Sequence, residues 1–163
     1  MANLVFNYSL GRACEFFNRV DSSDPTNAVL VLIAYAIAGD QAARDAIDIT
    51  LRDAATIAAV EAITDVDEVT NAGYARILLD DTDVAFVVDT TNDRVDLDFA
   101  DQTFPTVSAG DNWTDLVIAY DPDSTGGTDA DIIPMSLHDF PVPPDGSDIV
   151  TQLGAAGFFR ATE

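Results

Sequence analysis

The chain has 163 residues, 48% of them hydrophobic, and sets 25 aspartates and four glutamates against seven arginines and no lysine, a net charge of −22. Such a surface repels phosphate, which excludes nucleic acid and anionic membranes as partners, since both are held through Lys and Arg. The hydrophobic fraction also excludes a disordered acidic tail, and the single cysteine, Cys14, excludes an internal disulfide framework.

The first ten residues carry no acid, unusually for this chain, and include Val5, Phe6 and Tyr8. Contact surfaces are depleted in charge and enriched in aromatics, so residues 1–10 are a candidate contact arm with Val5, Phe6 and Tyr8 as contact residues. The alternative is a plain edge strand of the domain's own sheet. No basic region precedes an apolar stretch here, so no signal peptide is expected. A helix is predicted over Leu10–Asp21, where Ala13, Phe16, Phe17 and Val20 form one apolar stripe and Cys14 reads as a small buried hydrophobe. The Ser/Asp/Pro run from Ser22 to Asn27 breaks it.

Ala28–Tyr35 is continuous and rich in Val, Leu and Ile, the pattern of a strand buried on both faces. The uncharged run Ala28–Ala38 is too short to span a bilayer. A second helix is predicted from Leu51 to about Ala62, capped by Thr50 with Asp53 in its first turn, lying flat on a sheet through an alanine-rich face. From Gly73 the pattern turns to β: Tyr74–Leu79, Val84–Val88, Arg94–Phe99, Thr103–Phe104, Asp115–Tyr120, Ile132–His138, Phe140–Val142 and Phe158–Arg160 are predicted strands between turn clusters. In Arg94–Phe99 the alternation points Val95, Leu97 and Phe99 inward and Asp96 and Asp98 to water. The fold class is therefore mainly β. We expect a β-sandwich or barrel-like single domain (residues 1–163) of short antiparallel strands, with one or two short helices in its N-terminal half.

Asp121-Pro122-Asp123-Ser124-Thr125-Gly126 begins like a calcium loop, but its twelfth position is Ile132 in place of the bidentate Glu. Asp121, Asp123, Asp129 and Asp131 are the candidate metal ligands, against the plainer reading of a solvated Asp/Gly turn, expected to be a mobile excursion of the chain. His138 is the sole histidine and precedes Asp139. No serine sits in a Gly-x-Ser-x-Gly elbow, and neither Gly-x-Gly-x-x-Gly nor a phosphate loop is present. No catalytic or cofactor-binding set emerges, so the expectation is a protein that is not an enzyme and takes no cofactor. Trp113 reads as a core anchor, its alternative being an interface residue. The missing lysine has two readings, GC-rich codon usage or salt adaptation. The scarcity of Glu favours the first.

Four stretches carry a resemblance: Cys14–Val20 before its turn, Glu68–Arg76, Thr90–Asp98 and Tyr120–Asp129. Together they are similar to a group of tailed-bacteriophage virion structural proteins, called head decoration (cement) or minor capsid proteins, and the resemblance runs from the first helix to Phe159. It implies a non-catalytic β-rich protein bound to the outer capsid surface of the virion, made in the host cytoplasm. Its partner would be the major capsid protein, which it stabilises; the uncharged segment Met1–Leu10 adds the expectation of a homo-oligomer on the shell, such as a trimer at three-fold positions. A tail or baseplate component is the alternative within the class. Outside it stand a calcium-dependent cellular binding module using Asp121–Asp131 and a salt-adapted hydrolase around His138. Charge predicts a stability maximum at roughly pH 5–6, where repulsion among carboxylates begins to relax.

Overall fold

The structure, a computed structural model, describes residues 3–152 and 158–162. In chain order it contains β1 (Leu4–Val5), a 3-10 turn (Asn7–Ser9), α1 (Ala13–Asp21), β2 (Val29–Ile37), α2 (Gln41–Asp53), α3 (Ile57–Glu61), β3 (Val66–Glu68), β4 (Ile77–Leu79) and β5 (Val84–Asp89). The remainder is β6 (Arg94–Phe99), β7 (Gln102–Phe104), β8 (Trp113–Asp121), β9 (Ile133–Val142), β10 (Ile149–Thr151) and β11 (Phe159–Thr162).

A large antiparallel sheet runs β1-β9-β8-β2-β3, with β4 also paired to β2. Two smaller antiparallel sheets, β11-β6-β5 and β10-β7, complete a mainly β, sandwich-like fold. The large sheet is the middle layer. Alternate residues of β2 divide between its faces: Leu30, Leu32 and Ala34 join one core, and Val31, Ile33, Tyr35 and Ile37 the other. This is why β2 reads as an unbroken apolar run, since neither face meets water. The first core lies under the two small sheets and α1, through Phe16, Phe17, Leu97, Phe99 and Phe104. The second lies under α2, α3 and the N-terminal segment, through Leu51, Ile57, Val60, Leu4 and Phe6.

α1 buries the stripe expected of it, Ala13, Phe16, Phe17 and Val20. It begins at Ala13 and not Leu10 because Gly11 has φ +75°, a conformation no helix contains. Cys14 is half-buried against the first core. The second predicted helix is corrected. It is two helices, so the N-terminal half holds three in place of one or two. Asp40 caps α2 by accepting the Ala43 N–H at 3.0 Å, and Thr56 caps α3 by accepting the Ala59 N–H at 3.2 Å. Thr50 is therefore an interior residue, and Asp53 closes α2, where it accepts a hydrogen bond from Asn7 Nδ2 at 2.7 Å.

The N-terminal segment is an edge strand of the domain's own sheet. Leu4 and Val5 pair with Leu137 and Ser136 of β9, Phe6 is fully buried, and Ser9 Oγ donates to the Pro134 carbonyl at 2.7 Å. Of the three contact candidates, Phe6 is therefore corrected to a core residue, because its ring already fills the second core. Val5 is half-buried in the strand, and Tyr8 stays exposed.

Candidate functional site

The densest polar arrangement outside the cores is built on Arg76, just before β4. Its guanidinium grips Glu68 at the end of β3 with two hydrogen bonds, Nε to Oε1 at 2.9 Å and Nη2 to Oε2 at 2.6 Å. It also reaches Glu61 at the end of α3, 3.1 Å away, and Asp129 in the β8–β9 loop. Tyr74 donates its hydroxyl to Glu68 at 2.8 Å and accepts the Ala34 N–H of β2 at 3.1 Å. Three carboxylates thus share one cation, and burial together with Asp129 pushes the Glu61 carboxyl up from its ordinary range.

Beside this hub opens a cleft of about 530 Å³ whose walls include Glu61, Asp67, Glu68, Asp111 and Asp129. Asp111 accepts both the N–H and the hydroxyl of Thr70, at 2.8 and 2.9 Å, which holds its carboxyl below the usual carboxylate range. Five carboxylates round a cleft attract cationic groups, and the guanidinium that reaches Glu61, Glu68 and Asp129, that of Arg76, is already engaged.

The Asp121–Asp131 loop is tied down, not an excursion. Its Asp129 carbonyl accepts the Ala58 N–H and the Ile132 carbonyl accepts the Ile57 N–H, each at 2.9 Å, fixing the loop to the start of α3. Each of the four candidate ligands has an internal partner. Asp121 accepts from Asp123 N, Asp123 from Thr125 and Asn27, Asp131 from Thr128, and Asp129 from Arg76. Among the described residues, no three Asp, Glu, His or Cys side chains converge as a metal set. Calcium chloride should therefore raise the melting temperature no more than sodium chloride of equal ionic strength. A saturable calorimetric signal at micromolar calcium, the range of sensor sites, would restore the loop as a calcium site.

His138 lies on β9 with Nε2 2.9 Å from the buried Ser136 Oγ, and burial pushes its pKa below the ordinary imidazole value. Asp139, the next residue, pairs instead with Arg44 of α2 at 3.3 Å, alongside Asp115 at 2.7 Å. The sequence-adjacent acid therefore does not sit behind the imidazole, and the two residues serve opposite faces of the strand. Trp113 is in the core, 1% exposed, and donates its indole N–H to Asn71 Oδ1 at 3.0 Å.

The acid distribution sets a pH response. Local turns hold Asp80, Asp89, Asp123 and Asp145 below the usual range, through Thr82, Asn92, Thr125 and Ser147. They stabilise the fold above the unfolded aspartate value near 4, and that contribution is lost as pH falls through their lower folded values. Burial raises Glu61, Asp115 and Asp121. For these the folded state binds more protons between the unfolded and folded values, so acidification through that window stabilises. The two sets together place the stability maximum on the acidic side of neutrality, above the unfolded aspartate value. Added sodium chloride should raise the melting temperature at pH 7, since 29 acids face seven arginines and screening removes more repulsion than attraction. Scanning calorimetry from pH 4 to 8 at two salt concentrations checks both; a steady fall in melting temperature with salt would overturn the charge account.

The Arg76 hub escaped the sequence reading, although scarcity signals it. With seven arginines among 29 acids, each arginine is set to become an acid-binding node, and all seven do. Comparison with known protein families, curated proteins and solved structures finds no match to this chain.

Proposed function

We propose that the protein is a virion structural protein, a head decoration protein that binds the outside of an assembled phage shell and stabilises it. The observation that carries the reading is how the resembling stretches are used. Glu68, Tyr74 and Arg76 come from one stretch and Asp129 from another, and all four meet in one network of hydrogen bonds. Residues that tie strands and loops together suit a protein whose task is mechanical. A protein that binds only the assembled shell stabilises it by mass action, and an acidic exterior keeps particles apart.

The attachment surface follows from the N-terminal segment. Tyr8 and Leu10 are exposed beside α2, to which Asn7 is bonded through Asp53, and Ile49, one helical turn before Asp53, is 73% exposed. These three apolar residues, close to the otherwise acid-free start of the chain, form the contact we assign to the capsid subunit. The double variant Tyr8→Ser, Leu10→Ser should fold with an unchanged melting temperature but lose retention on shells by tenfold or more. Quantitative mass spectrometry of purified virions tests the function itself. Copy numbers comparable with the major capsid protein support decoration, a few copies per particle assign the protein to tail or baseplate, and absence from virions overturns the reading.

A further inference from the structure

The sheet β11-β6-β5 ends at β5, whose outer edge no strand pairs among the described residues. Edge strands are ordinarily protected by charge, proline or a bulge. Here the charge is confined to the ends: the centre, Val84–Val88, is uncharged and has neither proline nor bulge, and the six-residue register with β6 runs unbroken from Val84↔Phe99 to Asp89↔Arg94. Val87 and Val88 are 47% and 60% exposed, while α1 packs Phe17 against Phe86 on the inner side. Leu97 turns its carbonyl towards Phe158, on the β11 side. Its opposite residue Phe86, and Val88 two further on, therefore direct their amides away from β6, to the open edge.

Charge decides what fits there. Asp80, Asp81 and Asp83 stand at one end of the strand and Asp89 and Asp93 at the other, where Arg94 pairs with Asp89; Arg160 in the same sheet is taken up by Asp96. Hydrogen bonds from Thr82 and Asn92 keep Asp80 and Asp89 ionised. A second copy of β5 would bring acid against acid at both ends, whether it ran antiparallel or parallel, and like charges directly opposed destabilise a strand pair. We propose that β5 is an acceptor edge for an extended strand from another protein, with an uncharged β-branched centre and Lys or Arg at both ends. Main-chain bonds would supply the affinity and the acidic ends the selectivity. The inference depends on the virion reading only for which protein supplies the strand, and the two fail independently: copy number in virions tests one, peptide binding the other.

The test uses the full chain and two synthetic nine-residue peptides, Arg-Lys-Val-Thr-Val-Thr-Val-Lys-Arg and the same sequence with Ser at the four basic positions, titrated calorimetrically in low salt. The basic peptide should bind at least tenfold tighter than the serine peptide and weaken steeply with salt. Val88→Pro, which removes an outward amide without touching the β6 ladder, should abolish binding. Should that variant misfold, Asp81→Asn with Asp93→Asn leaves the strand intact and should lower affinity severalfold. Equal binding of both peptides, or no binding of either at millimolar concentration, overturns the proposal. So does a concentration-dependent dimer in sedimentation that Val88→Pro removes, since the occupant would then be a second copy.

Discussion

Replacing Arg76 by methionine should lower the melting temperature by roughly 6–12 °C at pH 7. The side chain keeps its bulk, so the effect isolates the charge. Glu61, Glu68 and Asp129 would face one another across a half-buried site with no cation between them. Removing one partner of a buried ion pair costs about 3–5 kcal/mol, and side-chain exposures of 24–35% here place the cost at the low end. Each kcal/mol moves the midpoint of a chain this size by roughly 2–4 °C. The deficit should shrink in mild acid, because protonating Glu61, whose carboxyl is already raised, relieves the repulsion the variant creates. Arg76→Lys should recover only part of the loss, since an ammonium cannot reproduce the two-pronged grip on Glu68. An unchanged melting temperature for the methionine variant would show that the carboxylates are solvated well enough to need no partner.

Strand positions in the second half were legible because turn chemistry brackets them. Asp80-Asp81, Asp89-Thr90 and Asp121-Pro122 mark strand ends as the structure has them, within a residue, but the expected Tyr74–Leu79 strand begins only at Ile77, and the expected pair Ile132–His138 and Phe140–Val142 is one strand, β9. The α2–α3 break was not legible: Ala54 and Ala55 are good helix formers, and no Gly or Pro marks the end of α2. The chain leaves the helix at Ala54, whose backbone is extended, and Thr56 is turned to cap the next one, an interaction that local composition does not register. Strands β1, β3 and β10, two or three residues long, are shorter than any period-two pattern can be read over. The hub was hidden for a related reason. Arg76 meets its carboxylates at separations of 8, 15 and 53 residues, so only the folded sheet brings them together.

Trp113 is where the aromatic core and that hub become one unit, and its loss should be felt in both. The ring meets Tyr74 and Phe104 edge-on at 5.5 and 5.0 Å, and its N–H satisfies Asn71, whose own amide donates to the carbonyls of Ser108 and Asp111. Trp113→Ala opens a cavity and should cost about 3–5 kcal/mol. Trp113→Phe retains much of the packing but strands the Asn71 oxygen, a cost of about 1–3 kcal/mol. Tyr74 both packs on Trp113 and bonds Glu68, so it carries displacement from the indole directly to the carboxylate that Arg76 grips. The losses from Trp113→Phe and Arg76→Met should therefore not add. Urea denaturation of the two single variants and the double should give a coupling energy of roughly 0.5–3 kcal/mol, the range for residues that share a partner. Additivity within experimental error would separate the hub from the core, and Tyr74 would then be only a packing residue.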